Sequence, residues 1–171
     1  EGNDTLAING TLLAATEKLA AIAWLLGGDY PAAELEKCWK SALTLQFHDI
    51  LPGSSITPVY RDALETFQDV QRELQRLQIA SFNTIHWNIA KAKVPGKHFL
   101  VFNPLSWERD DIASFQDCIP KDKRLRLLNE DGHDVIFEVG KKQGRNQDEI
   151  TFIARKVPPM GFRTFTAIYV P

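Results

Sequence analysis

The hydrophobic period of the chain changes once, near its middle. Between Thr11 and Leu26 the apolar positions Leu12, Leu19, Ile22, Ala23 and Leu26 share one helical face. Gly27-Gly28 stops that pattern, and Asp29-Tyr30-Pro31 opens another, because a proline in the first helical turn forfeits no hydrogen bond. The second helix is predicted from about Pro31 to Leu51. Leu35, Trp39, Ala42 and Leu45 or Gln46 keep helical spacing, and Pro52-Gly53 ends it. Thr57-Pro58 repeats the start signal, a capping residue followed by proline. In the third helix Val59, Ala63, Phe67, Val70, Leu74 and Leu77 make an apolar stripe, while Glu65, Asp69, Arg72, Glu73 and Arg76 take the wet faces. It should reach about Ile85. Short loops between three amphipathic helices favour antiparallel neighbours, hence an up-down-up bundle.

Beyond Val94-Pro95-Gly96 the helical period is lost. His98 to Phe102 reads as a strand that Asn103-Pro104 terminates. Further strands are predicted at Ile112 to Phe115, Arg124 to Leu128, Val135 to Val139, Ile150 to Ala154 and Arg163 to Val170, with Asp131-Gly132 as a hairpin turn signal. Strands recurring about every 8–12 residues suggest an antiparallel sandwich. The expected fold class is therefore α+β: a three-helix up-down-up bundle over residues 1–92 and a β-sandwich-like domain over 97–171. The border is expected between Ala92 and Lys97.

Composition narrows the function classes. The 171 residues are 44% hydrophobic and 25% charged, as in soluble globular domains, which excludes a disordered or fibrous chain. Twenty Lys and Arg against 22 Asp and Glu leave a net charge of −2, without the basic surplus of a nucleic-acid reader. The apolar runs, such as Leu19 to Leu26, fall far below the ~18 residues of a membrane span. No basic leader followed by an apolar run is visible. Cys38 and Cys118 form no metal-type pair and are read as reduced, Cys38 inside a helix, which points to the cytoplasm.

Catalytic signatures are scarce. Gly27-Gly28 lacks the spacing of a phosphate loop, and no serine sits in a nucleophile elbow. His48, His86, His98 and His133 show no metal-type spacing. His86 is read as a surface or packing residue, and His98 and His133 as solvated.

The string Gln46-Phe47-His48-Asp49-Ile50-Leu51-Pro52-Gly53-Ser54-Ser55-Ile56 stands apart. It places His48 and Asp49 in the last turn of a helix that Pro-Gly breaks. Consecutive helix positions are ~100° apart, so the two side chains can flank one object without sharing a face. The negative end of the helix dipole favours a cation there, so an imidazole and a carboxylate could help hold a metal ion and a polar ligand. Local hydrogen bonding at the helix end is the commoner role of such a pair.

That string, followed by Val59-Tyr60-Arg61-Asp62-Ala63, resembles the central region of glycoside hydrolase family 38, the class II α-mannosidases. Val101-Phe102-Asn103-Pro104-Leu105-Ser106-Trp107 is similar to the segment that opens the family's β-rich half, and Val157-Pro158-Pro159-Met160-Gly161-Phe162-Arg163 to the end of its first β module. The resemblance covers roughly residues 11 to 170, in family order. It implies a fragment holding the bundle and the first part of the β region, without the N-terminal α/β barrel. No catalytic residue is then assigned here, because the aspartate nucleophile, the acid/base carboxylate and the other zinc ligands belong to that barrel. The histidine matching His48 would complete the zinc site, and the aspartate matching Asp49 would bind sugar hydroxyls beside the metal. Retaining displacement needs two carboxylates roughly 5 Å apart. A zinc site needs at least three protein ligands and an open position, and this chain offers one convincing ligand.

The implied partners are an α-mannoside or mannose-containing oligosaccharide, the barrel of the same polypeptide and, as for many family members, further copies of the chain. Nucleic acid and membrane are not expected. Animal relatives tend to carry two consecutive histidines where this chain has Phe47-His48, so the string looks like the bacterial, cytoplasmic branch. Two rival readings stand beside this one: a non-catalytic carbohydrate-binding or interaction module, and a structural spacer. Trp107 and Tyr169 would be the aromatic platforms of the first rival, although Trp107 reads more readily as core.

Overall fold

Among the described residues, three helices and six strands follow one another in the order that the periodicity predicts. The computed structural model describes residues 2–89, 95–141 and 147–171. It contains α1 (Gly2–Leu25), α2 (Ala32–Thr44) and α3 (Thr57–Ile89), then β1 (Lys97–Asn103), β2 (Arg109–Asp117), β3 (Arg124–Asn129), β4 (Phe137–Lys141), β5 (Asp148–Val157) and β6 (Gly161–Val170). The chain is thus a mixed α+β protein, and it divides into two units, Glu1–Ile89 and Ala90–Pro171. The expected border at Ala92–Lys97 falls in part on residues 90–94, outside the described residues.

In the first unit, α1 begins at Gly2 rather than Thr11. No proline interrupts the preceding residues, and once a helix is nucleated each added residue gains a hydrogen bond. Its other end is set by Gly27 at φ 93°, where Gly28 N–H donates to Ala23 O at 3.0 Å and Gly27 N–H to Trp24 O at 2.9 Å. This is the double-bonded cap that a left-handed glycine permits. Leu13 and Ala20 of α1, Leu35, Cys38 and Ala42 of α2, and Val70, Leu74 and Leu77 of α3 form one buried cluster. Buried Thr16 donates to Leu12 O at 2.7 Å and accepts from Gln78 Nε2 at 2.9 Å, which ties α1 to α3 without an unmet polar group.

The second helix is shorter than its sequence suggests, ending at Thr44 and not near Leu51. Thr44 Oγ1 turns back to Lys40 O at 2.8 Å, and the next N–H groups reach three residues back instead of four: Gln46 to Leu43 O at 3.0 Å, Phe47 to Thr44 O at 3.1 Å. Leu45 is buried with Ala63 and Phe67 of α3, and Ile50 packs against the same group.

The second unit holds two antiparallel three-stranded sheets, ordered β1-β6-β3 and β2-β5-β4. Leu125, Leu127, Phe165 and Ala167 from the first sheet share one core with Ile150, Phe152, Ala154 and Val157 from the second. Phe99 stacks on Phe115 at 3.9 Å and Phe152 meets Phe165 edge-on at 4.8 Å, each pair joining one sheet to the other. Asp131-Gly132 does turn the chain, with Gly132 at φ 82° and Asn129 N–H on His133 O at 2.9 Å. The strands on either side nonetheless enter different sheets, joined by a single bridge between Leu128 and Asp134.

Asn103 is buried and accounts for both β-region segments singled out above. Its Nδ2 faces Trp107 O at 2.7 Å and the Val157 and Pro158 carbonyls at 3.1 Å, while Oδ1 accepts Leu105 N–H at 3.1 Å. Met160 N–H adds a bond to Leu105 O at 2.8 Å. The two segments therefore form one staple.

Asp117 at the end of β2 is 5% exposed and bonded to Lys97 of β1, Tyr169 of β6 and its neighbour's Cys118 N–H. Burial alone would raise its pKa, but the three donors outweigh that and hold the carboxyl below its ordinary range. A depressed folded-state value means stability that is full above the unfolded carboxylate value of ~3.9 and lost as pH falls through the folded one. Asp117→Asn should therefore lower unfolding free energy by about 1–3 kcal/mol at neutral pH. In urea titrations at pH 7, 5 and 3, the gap between wild type and variant should be equal at the first two and shrink at the third.

Candidate functional site

The segment between α2 and α3 is built from its apolar residues outward. Leu45 and Ile50 point toward Ala63 and Phe67, so the residues between them are left on the solvent side. Two bonds to one carbonyl close the turn, Ile50 N–H to Phe47 O at 2.9 Å and Leu51 N–H to the same oxygen at 3.0 Å. Gly53 then reverses the chain at φ 84°, a conformation that any side chain would strain.

His48 and Asp49 occupy the apex. Their side chains are 75% and 56% exposed, with Nε2 and Oδ2 3.5 Å apart. The Phe47 ring lies 4.2 Å from the imidazole at a tilt of 45°. Sequence spacing places this pair in the last turn of a helix; they lie instead on a tight turn beyond the helix end. A helix-dipole contribution at that place is accordingly replaced by the turn's own geometry. An exposed imidazole beside a carboxylate is a donor set suited to zinc. Among the described residues no group of three His, Cys, Asp or Glu side chains could hold a metal ion, so those residues offer part of a coordination shell.

One contact the sequence did not advertise is made by Tyr60, half-buried near the start of α3. Its hydroxyl accepts Ser55 N–H at 3.1 Å and faces the carbonyls of Asp49 at 3.3 Å and Ile50 at 3.5 Å. The only available signal was its place in the string Val59-Tyr60-Arg61-Asp62-Ala63, which assigns it no role.

Each of the other candidates has surroundings of its own. His98 is half-buried with Nδ1 3.0 Å from Thr166 Oγ1, and so is paired on the sheet instead of solvated. His133 is exposed and His86 half-buried. Trp107 is 58% exposed and is not core, because the Asn103 staple fixes its backbone and leaves the ring outside. The Tyr169 hydroxyl is engaged by Asp117, and burial with that carboxylate raises its pKa. Cys38 and Cys118 are not joined by a disulfide; burial pushes the Cys38 thiol above its ordinary value. Among the described residues no helix is long and apolar enough to cross a membrane.

Residues 8–85 match the family model described as the alpha mannosidase middle domain, which takes in α2, the His48–Asp49 turn and most of α3. Among curated proteins, the chain is 34% identical over 86 residues to alpha-mannosidase 2C1 of Mus musculus, covering 50% of this chain and 8% of that protein. It is 38% identical over 79 residues to alpha-mannosidase G of Dictyostelium discoideum, covering 46% of this chain and 7% of that protein. The chain thus spans less than a tenth of the curated relatives it matches. Two crystal structures from Enterococcus faecalis are alike over 99% of the chain. One is an alpha-mannosidase (TM-score 0.76, 17% identity, 24% of that chain), the other a protein in glycosyl hydrolase family 38 (TM-score 0.79, 16% identity, 26% of that chain). At those identities the likeness is one of fold. The resemblance to the class II α-mannosidases is shown by the family model and the curated relatives together.

Because both apex side chains face solvent and belong to no buried cluster, His48→Ala and Asp49→Ala in this chain should each change unfolding free energy by less than about 0.5 kcal/mol, as measured by urea denaturation.

Proposed function

We propose that this chain is part of a retaining, metal-dependent glycoside hydrolase that cleaves α-mannosides, and that it supplies one zinc ligand, His48, and a sugar-binding carboxylate, Asp49. The observation that carries the reading is the position of that pair: the exposed apex of a hydrogen-bonded turn, inside the segment that matches the α-mannosidase middle domain. On this reading the remaining ligands, the nucleophile and the acid/base carboxylate come from an N-terminal barrel of the same polypeptide, and the chain alone is inactive. The finer fold is an up-down-up bundle over 1–92 followed by a β-sandwich over 97–171, in a cytoplasmic protein.

When bound, zinc would supply a Lewis acid that takes sugar hydroxyls as ligands. The work of this chain is to present donors. The His48 imidazole offers a nitrogen lone pair, and its exposed side chain lies outside the buried clusters, with only the Phe47 ring beside it. Asp49 accepts hydrogen bonds from hydroxyls of the sugar ring, charge-assisted and so among the stronger kind. Retention then requires the two carboxylates of the barrel roughly 5 Å apart, one attacking the anomeric carbon and the other protonating the leaving oxygen.

The test is hydrolysis of a chromogenic α-mannoside by the intact polypeptide, with and without a chelator. His48→Ala should lower kcat/KM by at least about 100-fold, and Asp49→Ala should lower it too. Chelation should abolish turnover, and added zinc should restore it. Full activity of His48→Ala would remove this residue from the mechanism. A second reading, a carbohydrate-binding module, draws on the exposure of the Trp107 ring. It is favoured if the chain alone binds mannose oligosaccharides and loses them in Trp107→Ala but not in His48→Ala.

A further inference from the structure

We infer that Tyr60 is a positioning residue for the His48–Asp49 apex, acting through the backbone of the turn. This rests on the zinc reading of His48. The segment from residue 45 to 56 is gripped in two ways. Leu45 and Ile50 anchor it by burial on Ala63 and Phe67, and Tyr60, on the same helix, grips it by hydrogen bonds. The hydroxyl is the meeting point of three main-chain groups, the adjacent Asp49 and Ile50 carbonyls and the Ser55 N–H five residues further on. Ser55 N–H donates to it, and its own proton is shared between the Asp49 and Ile50 carbonyls. The Asp49 carbonyl is one bond from the Cα that carries the carboxylate. The apolar anchors fix where the turn sits, and the Ile50 and Leu51 N–H bonds to Phe47 O hold the two apex peptides on their N–H side. The phenol restrains the same two peptide planes on their carbonyl side.

The chemistry separates positioning from folding. In Tyr60→Phe the ring stays, so its packing stays, and the three backbone groups are near enough to the surface for water to take up their hydrogen bonds. What is lost is the restraint. A coordinating side chain must be held within about 0.5 Å and 10–20° of its working geometry, and supporting hydrogen bonds of this kind are commonly worth 10–100-fold in metal affinity.

The experiment uses the intact polypeptide in three forms: wild type, Tyr60→Phe and His48→Ala. Zinc affinity is measured by competition with a chromophoric chelator, thermal midpoint by circular dichroism, and local opening by hydrogen exchange without metal. Tyr60→Phe should keep its midpoint within about 2 °C of wild type, weaken zinc about 10-fold, and speed exchange roughly fivefold at Ser55 and its neighbours, leaving α2 and α3 protected. Wild-type zinc affinity in Tyr60→Phe, with zinc binding lost in His48→Ala, would overturn the role of Tyr60 and leave the metal reading standing. A lowered midpoint with faster exchange throughout α2 and α3 would mark Tyr60 as a fold residue only, which also overturns it. Unchanged zinc affinity in His48→Ala would overturn both.

Discussion

The burial of Leu45 and Ile50 against Ala63 and Phe67 is the contact on which the functional geometry depends. Two apolar side chains five positions apart reach the same patch of α3, and a continuous helix would turn them to different faces, 500° being far from a whole number of turns. The chain between them must therefore leave the helix, and the polar residues it carries are displaced to the outside. His48 and Asp49 are exposed because Leu45 before them is buried and Ile50 after them packs against the same patch. Burying one such aliphatic side chain is worth about 1.5–3 kcal/mol when complete, as for Leu45, and Ile50, partly buried, adds to it. That exceeds the cost of the few helical hydrogen bonds given up, which the i→i+3 bonds at Gln46 and Phe47 partly replace.

The same economy of parts runs through the β unit. The two segments that looked diagnostic in the sequence, around Asn103 and around Pro158, meet through one buried amide whose donors and acceptor are all engaged. Their pattern is explained by folding. Asn103 lies where β1 ends and fixes the turn that leads into β6, so a side chain unable to make these bonds would leave several carbonyls without partners in the interior. The Asp117 cluster does comparable work at the other end of β1, where the second sheet touches the first through Lys97 and Tyr169. Neither needs a catalytic explanation.

How far the sequence could be read follows from how far each determinant reaches along the chain. The α3 stripe from Ala63 to Leu77 and the six strands were legible because their periods are local. The stop after Leu26 was legible because Gly27 alone supplies the left-handed residue. The end of α2 was not, since Gln46 to Leu51 contains nothing that forbids a helix. What ends it is the tertiary burial of Ile50 together with the back-bonded Thr44 hydroxyl. The turn at Asp131-Gly132 was visible, but the destination of β4 was not, because its partner β5 is chosen by which face its side chains must bury. Trp107 misled because an aromatic in a hydrophobic-looking segment suggests core, while the position of its ring depends on the backbone staple. The apex pair was found only as a motif. Spacing rules need several ligands on one chain, and here the described residues offer too few.

An apex that lies outside the buried clusters has a thermodynamic consequence. The core of the helical unit, from Leu13 to Leu77, is separate in its contacts from His48 and Asp49, so these two residues are chosen by chemistry without a stability penalty. The cost appears instead as freedom. Exposed side chains on a turn sample many geometries, and a ligand that binds one of them must overcome the entropy of selecting it. Fixing the backbone in advance is the least costly remedy, because it restrains both groups at once and leaves their side chains adaptable to the metal and the sugar. A turn held by apolar anchors from beneath and by one hydroxyl across its rim meets that need. On the proposed reading, one ligand of a metal shell and one sugar-binding carboxylate can therefore be kept ready on one folded unit before the remaining ligands arrive.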